Sequence, residues 1–457
     1  MSTTYYIDPV QGNDAWDGLS EVTPKKNYRE VHPQPGDSVL FRRGTVTRDV
    51  LLMERGEADG WITYGAYGEG DKPLFLGSAD FSAPEDWTEE SPNLWVYAKE
   101  MPGEACNFIF NGGECFGNLR WEKDELDEQG EGYYSHMGEI PVEPSVEPQK
   151  LYLYSEKNPG EYYDSIECAL RFVRMAGGID EVGLHHVILQ DLAFANGGVH
   201  GLQCWMPHDL LVRRCDFRNI GGAVWSRPLH IRYGNCVEFW DSSDDITVEE
   251  CVFEETYDSC ITHQGGPNCL PSQRLIFRNN LFVKYGMAAY EVRDRLPIDT
   301  YFDNNICVRA SGGFAMQGDP APRQSEIYPQ PMGHHIFMWR IPQATEGGSL
   351  YLRNNVFYEA PYGAAMYSII SPEAEAQTHL SNNCYYKSAG SPEALYWMWG
   401  GKTYTAEEFV KYQQESGEDG DSIFCDPGYA KEAEGEFSPE NALLIERKMG
   451  NPITTKL

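Results

Sequence analysis

Short stretches in which apolar and polar residues alternate recur between residues 185 and 390. Four of them read ITVEECVF (246–253), RLIFRNNLF (274–282), TYFDNNICV (300–308) and SLYLRNNVF (349–357). Alternation at period two is typical of half-buried strands, and this part of the chain shows no helical period. The aromatic residue or cysteine that closes each copy recurs at intervals from 23 residues (194 to 217) to 50 residues (307 to 357). Self-similarity at such a period predicts a solenoid of stacked coils.

The corners between the strands repeat as well. Asparagine pairs occupy one corner, at 279–280, 304–305, 354–355 and 382–383, and a glycine-containing corner follows. Asparagine tolerates left-handed backbone and forms local hydrogen bonds, which suits a corner. We therefore expect three short strands per turn, in an all-β, right-handed parallel β-helix. Stacked amides pair with their neighbours above and below, so the asparagine pairs are expected to form a ladder, with Asn279, Asn304, Asn354 and Asn382 stacked at one corner.

Both ends of the chain carry motifs of a known group. Near the start stand Gly12, Asp14, Asp17-Gly18 and Pro24, then Pro35-Gly36-Asp37 and Phe41; near the end stands Asp426-Pro427. These motifs resemble the caps of right-handed β-helix enzymes that act on polysaccharides, such as the β-helical xylosidases. The group includes hydrolases, lyases, epimerases and catalytically silent members. The resemblance implies capped ends around a long solenoid.

The rhythm of the repeat divides the chain into four parts. Residues 1–81 are expected to form the N-terminal cap and first coils, and residues 176–400 the main coils. Residues 82–175 are rich in aromatics and turns but lack the repeat, and are expected to form a β-rich insertion, a small sandwich. Residues 401–457 are expected to cap the C-terminal end.

Charge and composition exclude several classes of partner. The 70 acidic residues against 36 basic ones give a net charge of −34, which repels phosphate backbones, so no nucleic-acid partner is expected. No stretch reaches the roughly 18 apolar residues of a membrane span. No signal peptide is visible at the start, and several of the 12 cysteines fall inside the apolar repeat, which favours reduced thiols and a cytoplasmic location. The sequence leaves assembly into a homo-oligomer open.

Two long spacings suggest where a ligand would bind. Segments 226–243 and 319–348 lengthen two of the repeats, and we expect them to form walls around the coils that contain residues 260–266 and 288–294. Glycosidic cleavage needs two carboxyl groups. The candidates for catalysis are Glu238, Asp258 and Glu291, with His263 as a proton carrier.

The spacing of the coils favours one pair of carboxylates. Glu238 and Glu291 are expected in the coils on either side of the one that holds His263. Two strand spacings are about 9–10 Å, which suits inversion better than retention. Apolar neighbours are expected to raise the pKa of Glu238 towards that of a general acid. Glu291 is expected to face solvent, because a buried charge in a solenoid core is costly.

The same coils and walls supply residues that could hold a sugar. Aromatic rings stack on the C–H faces of sugars, and polar groups bind hydroxyls. The expected substrate-binding residues are Gln264, Tyr290, Arg293, Asp294, Trp225, Trp240, Gln317 and Trp339. No metal or cofactor is expected, because the His334-His335 pair lacks a third ligand at motif spacing.

Three functions remain open at this point. The first is a glycoside hydrolase that uses the carboxylate pair. The second is a polysaccharide lyase or epimerase, in which Lys284, Arg293 or Arg232 would act as the base on a uronate, with or without Ca²⁺. The third is a carbohydrate-binding β-helix without turnover. The acidic and aromatic lining of the expected cleft favours the hydrolase.

Overall fold

The computed structural model describes residues 2–134, 150–171, 174–178, 183–266, 269–314, 333–388 and 396–450. Gln317 and the first part of the expected second wall lie outside these residues. The first strands of the solenoid are β1 (Thr4–Ile7), β2 (Ser38–Arg42), β3 (Val46–Thr47), β4 (Leu51–Met53), β5 (Ile62–Tyr67) and β6 (Leu74–Leu76).

Nine strands then leave the solenoid. They are β7 (Ser78–Asp80), β8 (Trp87–Ser91), β9 (Leu94–Tyr97), β10 (Ala105–Phe110), β11 (Cys115–Phe116), β12 (Asn118–Leu119), β13 (Glu131–Tyr134), β14 (Leu151–Tyr154) and β15 (Ile166–Leu170). They form a four-stranded sheet in the order β11-β10-β15-β7 and a five-stranded sheet in the order β12-β13-β14-β9-β8. Their aromatic side chains share one apolar cluster, which is separate from the core of the solenoid.

The solenoid resumes at residue 176. Its strands are β16 (Ala176–Gly178), β17 (His185–Gln190), β18 (Ala193–Ala195), β19 (Leu202–Trp205), β20 (His208–Arg213), β21 (Asp216–Ile220), β22 (Ala223–Ser226), β23 (Ile231–Tyr233), β24 (Val237–Trp240), β25 (Asp244–Glu249), β26 (Val252–Thr256), β27 (Ser259–Gln264), β28 (Gln273–Arg278), β29 (Leu281–Tyr285), β30 (Ala288–Arg293), β31 (Thr300–Asp303), β32 (Ile306–Ala310), β33 (His334–Trp339), β34 (Leu350–Arg353), β35 (Val356–Tyr358), β36 (Met366–Ile369), β37 (Thr378–Ser381) and β38 (Cys384–Tyr386).

The C-terminal end adds three strands and most of the helical structure. The strands are β39 (Trp397–Trp399), β40 (Lys402–Tyr404) and β41 (Ile423–Phe424). The α-helices are α1 (Pro159–Tyr162), α2 (Pro372–Glu375), α3 (Phe409–Ser416) and α4 (Ala442–Arg447). Short 3₁₀ helices span Tyr28–Glu30, Pro84–Asp86, Asn111–Gly113, Lys123–Glu125, Ala406–Glu408 and Glu432–Glu434. Among the residues described, no helix has the length and apolar character to span a membrane.

Three ten-stranded sheets build the solenoid, and each coil contributes one strand to each sheet. Sheet 1 has the order β1-β2-β5-β17-β20-β25-β28-β31-β34-β37, and sheet 2 has the order β3-β6-β18-β21-β26-β29-β32-β35-β38-β41. Sheet 3 has the order β4-β16-β19-β24-β27-β30-β33-β36-β39-β40, in which the last strand, β40, pairs antiparallel with β39. The strands of successive coils pair in parallel. The expected fold class, a right-handed parallel β-helix, is confirmed.

Aromatic side chains stack along the interior of the solenoid. Successive ring centroids lie between 4.9 and 5.7 Å apart along Phe75, Phe194, Phe217, Phe253, Phe282 and Phe302. This spacing is close to the strand separation, because each ring belongs to the next coil. The repeated aromatic position of the sequence is therefore the core of the fold.

The two asparagines of each pair have different roles in the corner: the first makes the turn and the second forms side-chain hydrogen bonds. The first asparagines have left-handed backbone, with φ between 49° and 59°. The fully buried second asparagines form the main amide ladder, with Nδ2 to Oδ1 distances of 3.1, 3.3 and 3.1 Å along Asn280, Asn305, Asn355 and Asn383. The predicted amide ladder is observed, and Asn279, Asn304, Asn354 and Asn382 follow strand ends that pair in register, so they are stacked at one corner as expected. Among these four, Asn382 donates to Asn354 at 2.7 Å. The second position faces the interior, where unpaired amides would be costly.

The walls expected from the long spacings differ from the observed structure. Within 226–243, the extra residues form the antiparallel hairpin β22–β23, whereas β24 is an ordinary strand of sheet 3. The hairpin packs towards the inserted sheets, because Val224 belongs to their apolar cluster. Within 319–348, β33 is likewise a strand of sheet 3. Glu238, Trp240 and Trp339 therefore lie on the floor rather than on walls.

Candidate active site

One row of side chains on the outer face of sheet 3 contains both glutamates of the predicted pair. In register across four strands, Glu238 lies beside Gln203 on one side and Thr262 on the other, and Thr262 lies beside Glu291. The residues before and after each of them face the core, as shown by the full burial of Val237, Ile261 and Val292 in the central cluster. Phe337 and Tyr367 continue the row.

The pairing register sets the distance between the two glutamates. Glu238 and Glu291 both pair with Thr262, one from each side. Their Cα atoms are thus separated by two strand spacings, about 9–10 Å. This is the arrangement expected from the repeat, and it leaves room for a water molecule between two carboxyl groups.

Glu291 is held by donors on both of its oxygens. The indole N–H of Trp339 donates to Oε1 at 2.7 Å, and the hydroxyl of Ser259 donates to Oε2 at 3.0 Å. The guanidinium of Arg293 lies 3.8 Å from Oε1. The expectation that Glu291 faces solvent is wrong, because its side chain points out of the coil yet is only 1% exposed.

Glu238 is held by a histidine from the preceding coil. Nδ1 of His200 accepts a hydrogen bond from the backbone N–H of Asn235 at 3.1 Å, so the ring proton resides on Nε2. That nitrogen donates to Oε2 of Glu238 at 2.7 Å. Gln203 Nε2 donates to the same oxygen at 3.4 Å.

These contacts set the ionisation of Glu238. Burial by itself raises the pKa of its carboxyl, but the interaction with His200, the positive charge of Arg293 and a hydrogen bond from Asn235 outweigh burial and hold the pKa below its ordinary value. The expectation that apolar neighbours raise this pKa is wrong. The sequence could not reveal His200 as a partner, because the contact joins two different coils.

A second outward row runs beside the first. Trp205, Trp240 and Gln264 are neighbours in register, and Arg293 pairs with Trp339 on the following strands. The rings of Trp205 and Trp240 lie 5.8 Å apart, and Trp205 is 37% exposed. The guanidinium of Arg293 lies 5.2 Å from the Trp339 ring centre.

A shallow depression opens at the end of this row. Asp241, Gln264, Arg293 and Asp294 contribute to its lining. Asp294 lies 3.3 Å from the Arg340 guanidinium and 3.7 Å from that of Arg293. The structure thus brings together Gln264, Arg293 and Asp294, three of the expected substrate-binding residues.

Two of the predicted site residues face the wrong side of the sheet. Tyr290 and His263 point into the coil, where the Tyr290 hydroxyl lies 3.2 Å from Nδ1 of His263. Burial lowers the pKa of His263 to about 4, and the charge of Arg293 acts in the same direction. His263 is therefore a neutral core residue rather than a proton carrier, and Tyr290 is a core aromatic rather than a sugar platform. Thr262 takes the outward position that His263 was a candidate for.

Other predicted residues lie apart from the two rows. Asp258 is buried at the corner before β27, where Oδ2 accepts the backbone N–H of Gly234 at 2.8 Å, as expected of a residue that caps a turn. Trp225 lies on the hairpin β22–β23 and is 41% exposed, not on sheet 3. The His334-His335 pair is buried, and burial lowers both pKa values to about 3.

The basic residues proposed for a lyase do not converge. Lys284 lies on sheet 2 and pairs with Glu255 at 3.2 Å. Arg232 is buried, and its Nε donates to the carbonyl of Gly222 at 2.7 Å. Only Arg293 belongs to the rows on sheet 3.

The sequence reasoning missed three residues of this face. His200, Ser259 and Trp205 all contact the predicted residues. The sequence does contain a signal for Trp205, because it stands eleven residues after the repeated aromatic Phe194. Gln264 and Arg293 stand at the same distance after Phe253 and Phe282. His200 lies at a corner and Ser259 is the first residue of β27, where the repeat gives no guide to the direction of the side chain.

One curated protein is similar to a short part of this chain, and several solved structures are similar to most of it. No family model matches the chain. A lacto-N-biosidase of Bifidobacterium longum subsp. longum is 40% identical over 86 residues, which cover 17% of this chain and 5% of that protein. The chain thus matches only a small part of that relative.

Several solved structures share the outline of the fold at low identity. A GH136 lacto-N-biosidase from Eubacterium ramulus has a TM-score of 0.48 and 14% identity, covering 85% of this chain and 60% of that chain. XylC in complex with xylose has a TM-score of 0.42 and 11% identity over 84% of this chain and 68% of that one. The pectate lyase Pel9A has a TM-score of 0.43 and 12% identity over 91% and 84%. All are β-helix carbohydrate-active enzymes, the group that the sequence resembles.

Proposed function

We propose that the protein is a glycoside hydrolase in which Glu238 and Glu291 form the acid–base pair. The observation that carries this proposal is the pair itself: two outward carboxylates on one sheet, separated by one coil. Glycosidic cleavage by inversion requires two carboxyl groups about 6.5–9.5 Å apart, and two strand spacings fall close to that range. The 40% identity to a lacto-N-biosidase over 86 residues supports the same class of reaction.

The environment of Glu238 assigns the two roles, and the role of general acid falls to Glu291 as the other carboxyl group of the pair. Glu238 has a lowered pKa and is ionised, so it acts as the general base that takes a proton from water. The water attacks the anomeric carbon, and the bond to the leaving oxygen breaks. Glu291 gives its proton to that oxygen, and the two carboxyl groups then exchange protons with solvent to begin again.

The groups around Glu238 and Glu291 suit contacts with a bound sugar. In the free protein, the Trp339 indole and the Ser259 hydroxyl occupy both oxygens of Glu291. A substrate hydroxyl and the glycosidic oxygen would replace them as partners. Trp205 and Trp240 offer exposed ring surface on the same face, which suits the apolar C–H side of a sugar.

A panel of aryl glycosides that includes an aryl lacto-N-bioside tests the reaction class. Aryl release without new ultraviolet absorbance supports hydrolysis, whereas absorbance from an unsaturated product would identify a lyase. For Glu238→Gln and Glu291→Gln we expect kcat to fall at least about a hundredfold, the low end for general acid–base catalysis. Inversion is checked by the anomeric configuration of the first product, followed by NMR.

Glu249→Gln is the matched control. Glu249 is also a buried carboxylate held by donors, Arg213 and Arg278, but it lies on sheet 1. Its replacement should leave kcat unchanged. If both glutamate variants on sheet 3 keep full activity while Asp294→Asn loses it, the pair assignment is wrong and the depression beside Asp294 is the site.

The pH dependence of kcat/KM tests whether His200 positions Glu238. Because its N–H stabilises the ionised form of Glu238, His200→Phe should raise the pKa of that carboxyl. The acidic limb of the kcat/KM profile should then move to higher pH, while activity at alkaline pH recovers. A uniform loss at every pH would contradict this role.

A further inference from the structure

A cluster of metal-ligand side chains lies on sheet 1, away from the face just described. His186, His208 and Asp209 each bring one potential ligand atom within 4.8 Å of the others. They stand at the start of neighbouring strands β17 and β20, where His185 pairs with His208. His186 and Asp209 both have left-handed backbone, with φ of 54° and 52°, so they occupy equivalent positions in successive coils.

The distances within the cluster suit a small tetrahedral ion. Nε2 of His186 lies 3.6 Å from Oδ2 of Asp209, and Nδ1 of His208 lies 2.9 Å from the same oxygen. In a tetrahedral zinc site, bonds of 2.0–2.2 Å place ligand atoms about 3.3–3.5 Å apart. The two distances to Asp209 bracket that value, and all three ligand atoms lie within 4.8 Å of one another.

His185 supplies the support that a metal-binding histidine usually has. Its Nδ1 lies 2.9 Å from Nδ1 of His186. When the proton of His186 is on Nδ1, Nδ1 of His185 can accept it, which leaves the lone pair of His186 Nε2 free to bind an ion in the cluster. Ligand histidines in zinc sites are oriented in this way by an outer acceptor.

The same positions in later coils are filled differently. Asp245 and Arg274 hold left-handed positions equivalent to those of His186 and Asp209, and they form a two-pronged ion pair with both distances at 2.6 Å. There a cationic side chain balances the carboxylate. In the coils of β17 and β20, the partners of Asp209 are two imidazoles rather than a guanidinium. A bound cation would supply the balancing charge.

We propose that His186, His208 and Asp209 bind Zn²⁺, with His185 as the outer acceptor and one coordination position open to solvent. Nitrogen and carboxylate donors in this ratio suit zinc, whereas Ca²⁺ and Mg²⁺ favour all-oxygen sites. The ion would join two successive coils at their shared corner. The site is independent of the proposed hydrolase face, since it lies on another sheet.

Isothermal titration of chelator-treated protein with ZnCl₂ tests the site. We expect one Zn²⁺ per chain, and a rise in Tm when Zn²⁺ is in excess. His208→Gln and Asp209→Asn should each lower the affinity at least about 100-fold, since even outer partners are worth 10–100-fold. His185→Phe should lower it about 10–100-fold, a loss that a residue without contact to a ligand of the ion would not cause.

The control is His379→Gln, which removes an equivalent surface histidine of sheet 1 that lies 3.7 Å from a single carboxylate, Glu418. It should leave the affinity unchanged. Co²⁺-substituted protein should show the visible bands of nitrogen and oxygen ligands, without the near-ultraviolet band of a thiolate.

Three results would overturn the proposal. The first is no binding at millimolar Zn²⁺, and the second is unchanged binding in both His208→Gln and Asp209→Asn. The third is a thiolate spectrum, which would place the ion at cysteines instead. Melting curves of the metal-free variants show that each is folded before its affinity is compared.

Discussion

Replacement of a single buried amide should reveal how much the asparagine corner stabilises the solenoid. Asn305 is fully buried, and its Nδ2 donates to the carbonyl of Phe277 at 2.9 Å and to Oδ1 of Asn355 at 3.3 Å. Its Oδ1 accepts from the backbone N–H of Asn280 at 3.0 Å and from the side-chain amide of Asn280 at 3.1 Å. Asn305→Ala removes all four hydrogen bonds at once.

The expected loss in the free energy of unfolding follows from the polar groups that lose Asn305 as a hydrogen-bond partner. Two backbone groups, the Phe277 carbonyl and the Asn280 N–H, lose these partners in the interior. An unsatisfied buried polar group costs about 1–3 kcal/mol, so the pair gives a loss of about 2–6 kcal/mol in the free energy of unfolding. The interrupted amide ladder on either side adds to this value rather than offsetting it.

Urea unfolding followed by circular dichroism measures the loss. The matched control is Asn304→Gly, one residue earlier in the same corner, where φ is 56° and glycine fits without strain. It should change the free energy of unfolding by less than about 1 kcal/mol, as for most substitutions that break no buried contact. If Asn305→Ala also costs less than about 1 kcal/mol, or if the two variants are equally destabilised, the second asparagine does not hold the corner.

Two further predictions concern titratable groups. A hydrogen bond from Cys384 lowers the pKa of the partly buried Cys425 to about 7. Alkylation of Cys425 by iodoacetamide, measured by peptide mass spectrometry, should therefore accelerate as the pH rises through 7. A rate that is still low at pH 8 would refute this. Burial lowers the pKa values of His263, His334 and His335 from 6.5 to about 4, 3 and 3. Below pH 6.5 these histidines bind protons in the unfolded chain but not in the native state, so the free energy of unfolding should fall as the pH drops from 6.5 towards 4. Urea midpoints measured against pH test this, and a flat profile across that window would contradict it.

The repeat written in the sequence was sufficient to predict the fold. Period-two alternation, the recurring aromatic and the asparagine corner each have a local physical cause, and all three agree on a parallel β-helix. The stack of rings through Phe217, Phe253 and Phe282 is what the recurring aromatic implies. The same repeat also placed Glu238 and Glu291 on either side of one coil, because coil order follows chain order in a solenoid.

The direction of individual side chains was decided only by the tertiary structure. A shift of one residue in a strand moves a side chain from the outer face to the core, and the corners vary in length by about one residue. Thr262 rather than His263 therefore faces outward, and Tyr290 lies inside while Glu291 lies outside.

Contacts between coils were equally hidden from the sequence. His200 and Glu238 are 38 positions apart, and nothing local to either residue indicates that they touch. That contact reverses the expected shift in the pKa of Glu238, since a donor on the ionised oxygen outweighs the cost of burial. The order of the chain determined which coils are neighbours. The length of each corner determined which side chains of neighbouring coils are in contact.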